Sequence, residues 1–225
     1  LLRKETFNGL EHFFFEEKHR LLDKWLHYFE AYERFFSKYK EKDVTILEIG
    51  VFKGGSLQMW KHYFKGKNNK IKVYGIDIDE NCKALEEEDI EILIGSQDDR
   101  DFLQDVKKRV GKADIVIDDG GHYIDQQIIT FEELFDLVNE NGIYLCEDLH
   151  TSYMKEYGGA YKGNTFIEYS KNLVDDIHAQ YSETEELSRN KYSASIKSIT
   201  YYDSMVFIEK KKAADKSISI QIENQ

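Results

Sequence analysis

VTILEIGVFKGGSLQMW, Val44 to Trp60, decides the architecture. An almost wholly apolar run, VTILEIG, ends in Gly50. Gly54 and Gly55 follow, and SLQMWKHYF (Ser56–Phe64) then takes up the three- and four-residue spacing of a helix. A strand apolar on both faces that turns through glycines into a helix is the unit of a parallel, helix-covered sheet.

The pattern continues downstream. KVYGIDI (Lys72–Ile78) reads as a second strand, and IEILIG (Ile90–Gly95) as a third after a short acidic helix. Asp99 to Val110 is helical, Asp114 to Ile117 is a fourth strand, and TFEELFDLV lies in the helix after it. GIYLCED (Gly142–Asp148) is a fifth strand. Thr165 to Tyr181 carries an apolar helical stripe, and Ser195 to Lys210 reads as a hairpin turning at Tyr202-Asp203-Ser204. Upstream, residues 1–42 show helical spacing throughout, with aromatics and leucines between charges. Residues 43–211 form the α/β domain, and residues 212–225 a polar, lysine-rich tail expected to be mobile.

Composition narrows the function classes. The 225 residues carry 14 Phe and 15 Tyr, enough for a packed core. A net charge of -12 argues against a nucleic-acid partner, which requires a basic face. It suits a protein that holds a divalent cation, although an acidic surface that serves only solubility is the commoner reason. Two distant cysteines, Cys82 and Cys146, make no zinc pattern and fit a reducing, cytoplasmic setting. Neither a signal-peptide pattern nor an apolar run of membrane-spanning length is present, so no membrane partner is expected. With no proline, the turns fall to Gly, Asn and Asp.

Parallel sheets bind ligands beyond the carboxyl ends of their strands. After the first strand, EIGVFKGGS (Glu48–Ser56) offers a backbone turn open to a ligand. It is neither GxGxxG nor a GK[ST] phosphate loop, and by itself reads equally as an ordinary strand–helix turn. Asp77 ends the second strand 27 residues after Gly50, where an acid grips ribose hydroxyls in nucleotide-binding folds. The pair favours an adenosine-containing cofactor. After the third strand, GSQDD (Gly95–Asp99) could reach an adenine edge, or simply cap a helix.

The fourth and fifth strands end in acids, Asp118 and Asp119, Glu147 and Asp148. If the strands are neighbours, these carboxylates converge, repel and need a cation, magnesium being the natural hard-oxygen partner. Two unrelated solvated turns is the other reading. His122, in IDDGGHY, and His150, in EDLHTSY, are the candidate bases.

Taken together, LDKWLHYFEAYERFF (Leu22–Phe36), EIGVFKGGSLQMW, YGIDID, IDDGGHY and CEDLHTSY followed by YGG (Tyr157–Gly159) resemble a known family. The chain looks like a class I S-adenosylmethionine-dependent methyltransferase. More narrowly, it is similar to the metal-dependent sugar O-methyltransferases of the macrocin and mycinamicin type and the related rhamnosyl O-methyltransferase and cephalosporin-hydroxylase-like group. Leu22 stands where the family usually has threonine, and Gly121 where it more often has serine.

The resemblance implies a Rossmann-like, mostly parallel seven-stranded sheet with an antiparallel last strand. It implies S-adenosylmethionine, with S-adenosylhomocysteine as product, held by Glu48, Gly50, Gly54, Ser56, Asp77, Ser96, Gln97 and Asp118. It implies magnesium on Asp119, Glu147 and Asp148, His122 as base, a sugar-containing substrate, and self-association. Two alternatives stay open at this point: a catechol-type enzyme acting on an aromatic diol, and a non-catalytic cofactor-binding protein.

Overall fold

A computed structural model describes residues 7–17, 20–212 and 219–222. The expected mobile tail falls largely outside the described residues.

The strands are β1 (Val44–Ile49), β2 (Ile71–Asp77), β3 (Ile90–Ile94), β4 (Ala113–Asp118), β5 (Val138–Cys146), β6 (Ile196–Tyr202) and β7 (Met205–Lys210). They form one seven-stranded sheet in the order β3-β2-β1-β4-β5-β7-β6. β1 to β5 pair in parallel, whereas β7 runs antiparallel to both β5 and β6. The strand order reverses between β1 and β4, which pair in parallel with Ile49 opposite Asp118. A ligand crevice opens at such a reversal.

Alternate residues of the apolar strands enter two separate cores, as the period-2 pleat requires. Ile46, Ile115, Ile117, Ile143, Leu145 and Phe207 face one side, and Leu47, Val116, Tyr144, Cys146, Val206 and Ile208 the other. On the first side lie α1 (Gly9–Glu16), α2 (Tyr28–Phe36) and α3 (Gly55–Phe64). On the second lie α4 (Arg100–Val110), α5 (Ile124–Leu134) and α6 (Phe166–His178). The short α7 (Lys191–Ser195) leads into β6.

The aromatic stripe of α2 is spent on the sheet. Phe35 stacks on Phe207 with centroids 4.1 Å apart, and Phe36 meets Trp60 edge-on. Burying such rings is worth about 1.5–3 kcal/mol each.

One expectation needs correcting. The N-terminal segment is not helical throughout: α1 ends at Glu16, α2 starts at Tyr28, and residues 20–25 carry no helix. Leu22 and Lys24 are buried there, whereas Leu21, Asp23 and Trp25 are exposed. That alternation belongs to an extended chain, and the tertiary contacts of Lys24 described below override the helical periodicity.

Candidate functional site

A cavity of about 640 Å³ lies beyond the carboxyl ends of β1, β2, β4 and β5. It is of the size that small-molecule sites take. Gly50, Ser56, Asp77, Ser96 and Gln97 line it, together with Asp119, His122, Glu147 and Asp148.

The glycine turn after β1 is built for close approach. Gly50 has φ +94°, and a Cβ there would sit 1.9 Å from the Asp119 carbonyl oxygen. Asp77 braces the same turn: its Oδ2 accepts from the backbone N–H groups of Val51 (2.9 Å) and Phe52 (3.0 Å). Its other oxygen accepts from Asp79 N–H at 2.9 Å.

Three of the expected cofactor contacts do not line the cavity: Glu48, Gly54 and Asp118. Glu48 is fully buried beneath it, accepting from Ser56 Oγ at 2.9 Å. Gly54 shapes the turn with φ +78°. Asp118 belongs to the opposite face, because consecutive residues point to opposite sides of a strand. Its Oδ1 accepts from Gln97 Nε2 at 3.0 Å and its Oδ2 from Tyr144 Oη at 3.2 Å. Burial pushes its carboxyl up to about 7 despite these donors.

β4 and β5 are neighbours, so the expected acids do converge. Ligand atoms of Asp119, His122 and Asp148 lie within 4.8 Å of one another. His122 Nε2 is 3.4 Å from Asp148 Oδ2. Tyr28 Oη donates to Asp148 Oδ1 at 2.7 Å. His122 (φ +60°) and Asp148 (φ +56°) both hold left-handed backbone, strain that clusters at working sites.

Glu147 turns inward from this group. Its Oε1 accepts from Tyr32 Oη at 2.6 Å, and its Oε2 from Lys24 Nζ at 2.8 Å. Lys24 also donates to Asp119 Oδ2 at 2.5 Å and lies 3.7 Å from Glu48 Oε1.

Lys24 carries no mark of its role in the local sequence, and the spacing of Tyr28 and Tyr32 reads as helix packing or as part of the substrate cleft's wall rather than as partners of the acids. Lys24 reaches acids 95 and 123 positions away, which no local pattern records. The available signal was charge: buried carboxylates require a cation, and LDKW holds one beside an apolar stripe.

One ammonium cannot balance Glu48, Asp119, Glu147 and Asp148. Burial alone would lower the Lys24 pKa, but Asp119, Glu147 and Glu48 hold it well above its usual value. The acids respond in the opposite sense. Burial, only partly offset by Lys24, pushes Glu48 up to about 7 and Glu147 up to about 8, and raises Asp119. The cluster thus holds proton affinity where a further cation is lacking. Oxygen-rich donors and surplus negative charge fit a hard divalent ion.

His150, the second candidate base, does not line the cavity. Its Nδ1 lies 2.6 Å from Ser204 Oγ in the β6–β7 turn, and its ring is 5.4 Å from Trp25.

No protein-family model matches the chain. It is 35% identical over 201 residues to an 8-demethyl-8-alpha-L-rhamnosyl tetracenomycin-C 2'-O-methyltransferase of Streptomyces olivaceus, covering 84% of this chain and 52% of that protein. It is 35% identical over 205 residues to the demethylmacrocin O-methyltransferase of Streptomyces fradiae, covering 84% and 51%. The chain spans about half the length of the curated relatives it matches. Among solved structures, the MycE methyltransferase from the mycinamycin biosynthetic pathway, in complex with Mg, SAH and mycinamycin VI, superimposes with a TM-score of 0.78 at 32% identity. That match covers 90% of this chain and 54% of the other.

Proposed function

This chain is homologous to sugar O-methyltransferases of macrolide and tetracenomycin pathways and has the class I methyltransferase fold, and on that premise we propose that it transfers a methyl group from S-adenosylmethionine to a sugar hydroxyl with the help of a divalent cation. The observation that carries the proposal is the convergence of Asp119, His122 and Asp148 on a cavity that the Gly50 turn, braced by Asp77, also lines.

When bound, S-adenosylmethionine supplies the methyl carbon and magnesium polarises the acceptor hydroxyl. Gly50, Ser56, Asp77 and Ser96 contribute the walls for the nucleoside and amino-acid parts. Asp119 and Asp148 offer carboxylate oxygens to the cation, and Glu147 backs them from below. His122, 3.4 Å from Asp148 Oδ2 and on the cavity wall, would accept the proton of the acceptor hydroxyl. Asp148 orients the imidazole and stabilises it once protonated.

The acceptor is proposed to be sugar-containing, either a natural-product glycoside or a surface polysaccharide unit presenting vicinal hydroxyls. The catechol-type alternative gains no support from relatives whose names specify rhamnosyl and macrolide substrates. Self-association would use surfaces other than α2, whose apolar stripe is covered. Among the described residues no helix is long and apolar enough to cross a membrane.

The test is mass-spectrometric detection of methyl transfer to a panel of rhamnosides and related glycosides, with magnesium and with chelator. The proposal expects product only with the cation, and its loss in Asp119→Ala. Turnover that persists in excess chelator refutes the cation's role, and turnover confined to aromatic diols refutes the sugar.

A further inference from the structure

Gln97 stands at the junction of two parts of the site. It follows Ser96 on the wall after β3, and it touches the loop that carries Asp119 and His122. Its side chain has no N–H left to donate to a ligand's edge. Both Nε2 hydrogens are engaged, one by Asp118 Oδ1 and one by Thr130 Oγ1, each at 3.0 Å. Its Oε1 accepts from the backbone N–H of Gly121 at 2.7 Å. The amide orientation is fixed by these partners: reversing it would face an NH₂ toward an N–H donor and an oxygen toward a carboxylate.

The far side of the network is equally fixed. Thr130, fully buried on α5, donates its hydroxyl to the Gln97 carbonyl at 3.2 Å. The loop is shaped around the amide. A Cβ on Gly120 would lie 2.0 Å from Gln97 Oε1, so only glycine admits this approach. Two residues beyond Gly120, His122 takes its left-handed backbone.

We propose that Gln97 is a positioning residue: its amide pins the Gly120–Gly121 turn from below and thereby sets Asp119 and His122 relative to the cavity. This deepens the methyltransferase reading and rests on it for the roles of Asp119 and His122. It differs from the expectation that Gln97 grips the cofactor. Methyl transfer needs an aligned base and cation, so a loosened turn costs alignment while the cofactor's own walls stay in place.

The experiment uses the full chain and the variants Gln97→Met, which keeps the volume and removes the amide, and Thr130→Val, which removes the hydroxyl that orients Gln97. Calorimetry measures the affinities for S-adenosylhomocysteine and for magnesium, and hydrogen exchange follows the peptide over residues 119–126. The expected result for Gln97→Met is magnesium affinity weakened about tenfold, S-adenosylhomocysteine affinity within about threefold of wild type, and exchange over 119–126 faster by about tenfold. Thr130→Val shows the same direction with a smaller shift, and decides the matter if Gln97→Met does not fold. A loss of about tenfold or more in S-adenosylhomocysteine affinity, or an unchanged magnesium affinity, overturns the proposal. If the wild type binds neither ligand, the methyltransferase reading falls and the exchange result alone decides whether Gln97 pins the turn.

Discussion

Replacing Lys24 with methionine tests the electrostatics of the site at its centre. The substitution keeps an unbranched apolar stem one atom shorter and removes the charge. In the native chain that ammonium is 2% exposed, bonds Asp119 at 2.5 Å and Glu147 at 2.8 Å, and lies 3.7 Å from Glu48. Solvent therefore screens it little. Removing one partner of a buried ion pair costs about 3–5 kcal/mol, because the other charge remains buried and unpaired. Here two acids lose their direct partner, so the upper part of that range is expected for the chelated protein at pH 8.5. For a chain of this length the loss corresponds to roughly 8–20 °C in Tm.

The cost has an escape route. Glu48 and Glu147 already rise to about 7 and about 8, and without Lys24 they rise further and take up protons. The deficit therefore shrinks as pH falls, and at pH 6 it is a fraction of its value at pH 8.5. Urea denaturation of wild type and Lys24→Met at the two pH values reads this directly. A loss under about 1 kcal/mol at pH 8.5, or a deficit that does not change with pH, refutes the picture of Lys24 as the buried cationic partner of Asp119 and Glu147.

Wild-type chelated protein carries a related signature. Glu48 and Glu147 have folded pKa values raised above the ordinary glutamate value of 4.5, so the folded state binds more protons than the unfolded one between that value and about 8. Their contribution is fully present below about pH 4.5 and is lost as pH rises through 7 to 8; thermal melts should show Tm falling across that window, and magnesium restoring it at the alkaline end. Gly50→Ala drives a Cβ to 1.9 Å from the Asp119 carbonyl in a φ +94° conformation, and a Tm drop together with loss of S-adenosylhomocysteine binding is the expected result. Tyr32→Phe leaves Glu147 Oε1 without its buried donor; chemical denaturation should show a loss of about 1–3 kcal/mol, with no comparable loss in Tyr123→Phe, whose ring is half exposed.

The sheet was legible because its strands are continuous apolar runs with glycine or acid at their ends. VTILEIG, KVYGIDI, IEILIG and GIYLCED each overlap an observed strand. The hairpin turn at Tyr202-Asp203-Ser204 was legible from the turn residues between its two strands, of which β7 pairs with β5 and β6 forms the sheet edge. Less could be read wherever a side chain's face mattered. Asp118 and Asp119 look alike in sequence, yet one is sealed under Gln97 and Tyr144 and the other faces the cavity. Adjacent acids after an apolar run carry no local mark of which side each will take until the partner helices are in place. The extended course of residues 20–25 was hidden more deeply. RLLDKW contains no glycine or proline, and only the distant carboxylates explain why Lys24 leaves the helical pattern.

The measurement closest to the central claim is calorimetric titration of S-adenosylhomocysteine into the chelated chain, with and without magnesium, on wild type and Asp119→Asn. Micromolar binding in both proteins, with magnesium uptake by the wild type alone, is what a cofactor cavity beside an acidic cation site predicts. No binding of S-adenosylhomocysteine under either condition contradicts the methyltransferase account at its foundation, and magnesium uptake undiminished in Asp119→Asn contradicts the cation site.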